Sequence, residues 1–352
     1  MSTPQAPTPE TPERGSGMRG DPRLRAAEEA VGRLLGGDAI SVLIATVVVT
    51  IGIGFFHHEF LTKSNLLQVL QQSVYIGVLA AGMSFLLAMR EIDLSVGSNF
   101  GLSLIIAALL MQHGWEPWLA GLAAVVSGGL FGLFNALCVQ LFRIPTIVAT
   151  LATLSMGRGL ALALTSGQQV VNLPAGNSFF TRLGGNTLGL STSVWVFVAV
   201  VAGLTVLLRM TPFGYRVRSI GSNPDAAAFS GISIARVRMQ ALVLIGLLAG
   251  LAGALGLAFF ISGDPNIGTG FELQAIAAAV IGGTPLRGGS GTAFGAAVGA
   301  VLLSVVSSGL VFFNVPLNWT SFATGAVILL AVSLDSLVRH RRRPEQQPGL
   351  GA

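Results

Sequence analysis

Arg90-Glu91-Ile92-Asp93-Leu94-Ser95-Val96-Gly97-Ser98 sets an arginine and two carboxylates into an otherwise apolar stretch. Charge among apolar neighbours is costly, and inside a bilayer it usually faces a cavity or a partner. Two readings stay open for Glu91, Asp93 and Ser95: a polar turn at the inner membrane surface, or a part in a pathway or gate. Asp93 or Ser95 can also cap the helix that follows. Arg158 is the one charge deep within an apolar segment, and Asn135, Thr150 and Thr153 are polar groups on such segments. With Glu272, these are the side chains expected along a polar path, although Thr and Asn in such places more often tie helices together.

Catalytic chemistry is not visible. No His/Asp/Glu cluster has metal-ligand spacing, and Gly289-Ser290-Gly291 does not meet the Gly-x-Ser-x-Gly elbow. The Gly-rich run 282–291 lacks the lysine of a phosphate loop, because Lys63 is the only lysine in the chain. Cys138, the single cysteine, excludes an intrachain disulfide and reads as a small buried hydrophobe. No enzyme activity, metal or cofactor is expected.

The elements that position these residues follow from solvent. Of the 352 residues 52% are hydrophobic and 10% charged, against about a quarter charged in a soluble domain. The chain lacks the charge to cover a soluble surface, so an all-α membrane protein is expected. Apolar segments lie near 40–56, 67–89, 96–112, 118–142, 144–165, 191–208, 239–262, 271–284, 292–313 and 320–338. Most approach the roughly 20 residues a bilayer core demands, giving about ten transmembrane helices. Segment 271–284 is short, and reads as a broken span or a re-entrant half-helix. Residues 1–37 are rich in Pro, Glu, Arg and Gly and read as a disordered tail, with a short interfacial helix at 27–35. A membrane domain over 38–340 and a tail over 341–352 complete the division.

The net charge of +5 is a topology signal rather than a nucleic-acid footprint. With both termini cytoplasmic and ten crossings, every one of the 20 Lys and Arg residues falls inside except Lys63, Arg182 and Arg158. This is the positive-inside bias of a multi-pass plasma (inner) membrane protein. The cluster at 339–343 also suits contact with anionic lipid.

The inside loop 211–238 carries a local helix signal. Asn223 is a good N-cap, Pro224 fits the first helical turn, and Asp225 complements the helix dipole. Gly231 supplies a left-handed stop. The loop is expected to hold one helix of about two turns, too short to be stable alone. It reads as a docking helix with Phe229 and Ile232 as apolar anchors, or as a surface helix lying on the bilayer.

The segments 92–98, 221–238 and 268–291, in this order, resemble the permease subunits of ribose, xylose and arabinose ABC importers. The same superfamily includes autoinducer-2 permeases. Gly268-Thr269-Gly270-Phe271-Glu272-Leu273-Gln274-Ala275 and the run on to Gly282-Gly283-Thr284 are the most specific part, and the likeness covers most of 40–338. The chain departs from many sugar permeases at Arg90-Glu91, where those carry small residues. The resemblance implies a permease that does no chemistry itself. Its implied partners are a separate ABC ATPase subunit, an extracellular or periplasmic solute-binding protein, and a second permease copy or sister permease. It also implies that the capped helix is the coupling helix seated in a groove of the ATPase, and that transport proceeds by alternating access. The rival is an ion-coupled secondary transporter. Such proteins usually carry more intramembrane ionisable groups than Arg158 alone.

Overall fold

The computed structural model describes residues 37–316 and six scattered positions beyond them, 319, 322, 325, 326, 329 and 333. The tail with its candidate interfacial helix at 27–35, the span at 320–338 and the basic cluster at 339–343 otherwise lie outside the described residues.

Eleven α-helices follow one another among the described residues: α1 (Gly37–Phe56), α2 (Lys63–Ala88), α3 (Val96–Gln112), α4 (Pro117–Phe142), α5 (Thr146–Thr165), α6 (Thr192–Met210), α7 (Pro212–Ser222), α8 (Pro224–Phe229), α9 (Ile234–Phe260), α10 (Phe271–Ile281) and α11 (Ala293–Phe312). A 3-10 turn at His58–Leu61 joins α1 to α2. The polar loop after α5 holds a π turn at Phe179–Leu183 and a two-residue antiparallel hairpin, β1 (Asn186–Thr187) with β2 (Leu190–Ser191). The expected all-helical architecture is present, with this hairpin as its small exception.

Among the described residues, seven helices are long and apolar enough to cross a membrane: α1, α2, α4, α5, α6, α9 and α11. Two apolar helices are shorter. The 17 residues of α3 span about 25 Å, and the 11 of α10 about 16 Å, against a hydrocarbon core of about 30 Å.

α2 and α9 form the centre. α2 is buried almost continuously from Ser73 to Ala88, and α9 packs on α2, α3 and α4. α1 is peripheral, with Ile44, Val48, Ile51 and Phe55 exposed on an apolar surface suited to lipid. Apolar burial drives no association between helices already surrounded by lipid, so close backbone packing must do it. The α4–α9 crossing shows how. Gly128 and Gly132 on α4 meet Gly246 and Gly250 on α9, and a Cβ on any of the four would overlap the facing backbone. Each pair has the small-xxx-small spacing that brings two helices into backbone contact.

Helix ends follow local chemistry. Glu116 caps α4 by accepting from the Leu119 N–H at 3.0 Å, with Pro117 in the first turn. α4 stops at Arg143, in the left-handed region at φ 54°. The largest differences from the hydropathy reading are at two helix starts: α2 begins at Lys63 rather than 67, and α9 at Ile234 rather than 239. Arg236 and Arg238 therefore belong to the first turns of α9. Cys138 is half-buried on α4, not fully buried, because its helix presents one side to the outside of the bundle.

The loop 211–238 holds two helices where one was expected. α7 starts at Pro212, with Thr211 accepting from the Gly214 N–H at 3.2 Å. This repeats the cap-then-proline chemistry that starts α8 twelve residues later.

Candidate functional site

α8 is closed at both ends by its own residues. Asn223 accepts from the Ala226 N–H at 3.0 Å, and Pro224 occupies the first turn. At the other end Gly231 takes φ 81°. Its N–H donates to the Ala228 carbonyl at 2.9 Å, and the Ile232 N–H to Ala227 at 3.0 Å. These two bonds form a Schellman stop, which needs a left-handed residue that glycine adopts without strain. Ala227 is buried against the chain's own body and Ile232 is half-buried on the apolar core. Asp225 is exposed, and Phe229 is 94% exposed. A groove of about 630 Å³ runs between α7 and α8, lined by Tyr215, Arg218, Asn223 and Ser230 among others. Of the two expected anchors, Phe229 points away from the body while Ile232 packs onto it.

The turn between α2 and α3 meets the flanks of α8. Arg90 is left-handed, at φ 66°, a conformation that costs a non-glycine residue about 1–2 kcal/mol. Its Nε donates to the Gly221 carbonyl at 2.6 Å and a terminal nitrogen to the Ser222 carbonyl at 2.9 Å. These are the last carbonyls of α7, which a cation satisfies well. Glu91 is paired with Arg238 of α9, whose terminal nitrogen lies 2.6 Å from Oε1.

Further along the same turn, Asp93 is buried. Its Oδ1 accepts from both the Ser95 N–H at 2.7 Å and the Ser95 hydroxyl at 2.6 Å. Burial pushes the Asp93 carboxyl up to about 6, against the opposing pull of those two bonds. The Asn135 amide donates to Ser95 Oγ at 2.8 Å, and Thr150 Oγ1 accepts from the Leu94 N–H at 3.1 Å. Asn135, Thr150 and Thr153 are all buried. Thr153 donates to the Thr150 carbonyl at 3.2 Å in its own helix. The structure thus brings Asp93, Ser95, Asn135 and Thr150 together as a tie between this turn, α4 and α5.

Arg158 and Glu272 belong to a second cluster. Between α9 and α10, residues 263–270 form no helix. They begin at Gly263, whose backbone bonds twice with Val170 in the loop after α5, at 2.8 Å each way. They then run along α3, with Ile267 against Gly101, and Gly268 and Glu272 against Gly97, where added Cβ atoms would collide. Irregular backbone at such depth must find donors within the protein. Arg158 supplies them: one terminal nitrogen donates to the Pro265 carbonyl at 2.9 Å and the Ile267 carbonyl at 3.0 Å. The acidic groups of Glu272 and Asp264 are its electrostatic neighbours. After α10, the Gly289 N–H donates to the Ala88 carbonyl at 2.9 Å, at the end of the bundle that carries α7 and α8.

Sequence reasoning missed Arg90 and Arg238 as paired groups. Glu91 and Arg238 lie 147 positions apart, and nothing local announces their contact. It also missed the backbone carbonyls that hold Arg158, since a carbonyl acceptor leaves no mark in the sequence. No group of three or more His, Cys, Asp or Glu among the described residues has the geometry of a metal site.

Residues 65–332 match the family described as "Branched-chain amino acid transport system / permease component". The chain belongs to this permease family. It is a multi-pass protein of the plasma membrane. Among curated proteins it is 34% identical over 302 residues to the L-arabinose ABC transporter permease protein AraH of Azospirillum brasilense, covering 86% of this chain and 87% of the relative. It is 36% identical over 299 residues to the ribose import permease protein RbsC of Bacillus subtilis (strain 168), covering 85% and 92%. It is 35% identical over 301 residues to the autoinducer 2 import system permease protein LsrC of Escherichia coli (strain K12 / DH10B), covering 85% and 87%. No solved structure matches the chain. α8 is a surface feature, whereas Arg158 and Glu272 lie between packed segments of the bundle.

Proposed function

We propose that this permease is the membrane component of an ATP-driven importer and carries a sugar or sugar-like polar solute into the cytoplasm. ATP is hydrolysed on a separate ABC ATPase subunit. A solute-binding protein delivers the solute on the outer side, and a second copy or a sister permease completes the path. The solute class is supported by the relatives, whose names give arabinose, ribose and autoinducer 2.

The observation that carries the proposal is α8: six residues long, capped at both ends by its own chain, and presenting Phe229 almost fully to solvent. A helix this short is marginal in water. An apolar side chain left out of the core at such a place suits a groove in a partner. Asn223, Pro224, Asp225, Phe229, Gly231 and Ile232 then build the coupling helix: Phe229 enters the ATPase, and Ile232 seats the helix on its own body.

The reading places both termini in the cytoplasm, with about ten crossings. The broken segment supports it. Residue 263 pairs beyond the end of α5, and residue 289 bonds beside α7. The long α9, of 27 residues, separates those two ends by about 40 Å. The non-helical stretch and the short α10 together then make one crossing. Arg158 and Glu272 border the path where that span is unwound, while Asp93, Ser95, Asn135, Thr150 and Thr153 form the polar tie beneath it. Alternating access follows: ATPase closure moves α8, and the spans tilt.

Co-purification in detergent tests the docking. The unmodified protein is expected to retain the cognate ATPase, and a variant with Asp225→Ala and Phe229→Ala to lose it while keeping its gel-filtration profile. If the unmodified protein binds no ATPase, and the purified chain alone moves solute into liposomes along an ion gradient, the secondary-transporter reading replaces this one.

A further inference from the structure

The geometry points to Arg90 and Glu91 as positioning residues that carry movement of α8 into the transmembrane bundle. This rests on the reading of α8 as the ATPase-docking helix. A helix of six residues has little surface with which to push on its own body. Ala227 is its one fully buried side chain. Force applied to α8 must therefore leave through the chain on either side of it.

Both sides are held by one dipeptide. On the entering side, Arg90 donates to the Gly221 and Ser222 carbonyls, immediately before the Asn223 cap. On the leaving side, Glu91 holds Arg238 through two of its nitrogens, at 2.6 and 2.7 Å, in the second turn of α9. The Glu91 N–H donates to the Leu86 carbonyl at 2.9 Å, which fixes the dipeptide to the end of α2. Two residues further on begins the Asp93–Ser95 knot that holds α4 through Asn135 and α5 through Thr150.

The cytoplasmic end of the broken span is part of the same junction. Gly289 bonds the Ala88 carbonyl, a Cβ on Gly288 would stand 2.6 Å from Arg90 Cγ, and a Cβ on Gly221 would overlap Ala88. A simple helix cap would need Arg90 alone. The adjacent grip on Arg238 makes the turn span α8 from flank to flank, so the flanks cannot shift without dragging the α2–α3 turn. The Glu91–Arg238 pair is only partly exposed, with side chains 17% and 30% accessible, and salt screens such pairs less than open surface pairs.

The test uses the full permease–ATPase complex and needs no knowledge of the solute. Cys138 is the single cysteine of this chain, so Cys138→Ser with Gln168→Cys gives one reporter on it, exposed in the loop just after α5, read on the permease's own gel band. Its maleimide labelling rate is measured without nucleotide and with ATP plus vanadate. In the otherwise unmodified complex the rate changes on trapping. In Arg90→Ala and in Glu91→Gln the ATPase still co-elutes, but the change shrinks at least fivefold. The reversed pair, Glu91→Arg with Arg238→Glu, recovers at least half of it. A full nucleotide-dependent change in both single variants would overturn the proposal, and so would failure of the reversed pair to recover any, which is what mere folding support predicts. Should Arg90→Ala fail to fold, Glu91→Gln and the reversed pair carry the test. If the ATPase is absent from the unmodified preparation, the docking reading itself fails before any variant is compared.

Discussion

Arg158 stands where an arginine is hardest to accommodate, within an apolar helix, and the reason for its presence lies in another segment. The unwound stretch at 263–270 leaves backbone carbonyls that no helix satisfies, and Arg158 binds two of them. Removing the donor while keeping the apolar bulk, as in Arg158→Met, leaves both unpaired. This is expected to destabilise the protein by about 1–3 kcal/mol, read as a lower unfolding temperature in detergent. Arg158→Lys is expected to fall between the two, since an ammonium is a point donor without the planar fork. An unchanged unfolding temperature in Arg158→Met would show that water serves these carbonyls instead. The sequence marks Arg158 as an intramembrane charge and so as a residue with a task. It does not reveal the partners, because every residue but proline carries the same backbone groups. Asp93 and Ser95 are a similar case: their capping partnership is local and can be read from spacing, whereas their ties to Asn135 and Thr150 depend on which helices become neighbours.

At the scale of elements, local chemistry and long-range packing separate cleanly. α8 is legible because its start and stop are written within nine residues, from Asn223 to Gly231. α7 is written with the same signs, Thr211 then Pro212, but it carries Arg216 and Arg218 and is short of apolar residues beyond the face of Val217 and Ile220, so a search for apolar segments passes over it. The crossing of α4 and α9 is legible only in part. Gly128 with Gly132 and Gly246 with Gly250 show the spacing of a close contact, but nothing in either helix says that they face each other. The contact is testable against an internal control. Gly132→Val forces a side chain into the α9 backbone and is expected to abolish the folded, monodisperse protein. Gly203→Val on α6 meets open space and is expected to leave the elution profile unchanged. Equal behaviour of the two variants would mean that α4 and α9 do not pack as described. α10 was visible as a short apolar segment between glycines, and its length of 11 residues explains why hydropathy alone could not decide whether the chain crosses there.

For the whole molecule, the helical membrane architecture was legible from composition, since a chain with 10% charged residues cannot clothe a soluble surface. The arrangement of helices was not, because hydropathy is uniform around most of these helices and gives no facing. The architecture that results has three parts. A buried centre of α2 and α9 is flanked on one side by an unwound segment held by Arg158. At one end of the bundle, the α2–α3 turn meets the exposed α8. On the proposed function, docking of an ATPase to α8 is what turns this arrangement from a channel-like bundle into an importer. The most direct measurement is uptake of radiolabelled arabinose and ribose into proteoliposomes. It compares the chain alone, the chain with its cognate ATPase, and both with the solute-binding protein, each with ATP enclosed or omitted. Uptake of at least one sugar only in the complete assembly, and only with ATP, is the expected result. Uptake by the chain alone, independent of ATP and collapsing with an ion gradient, would contradict it.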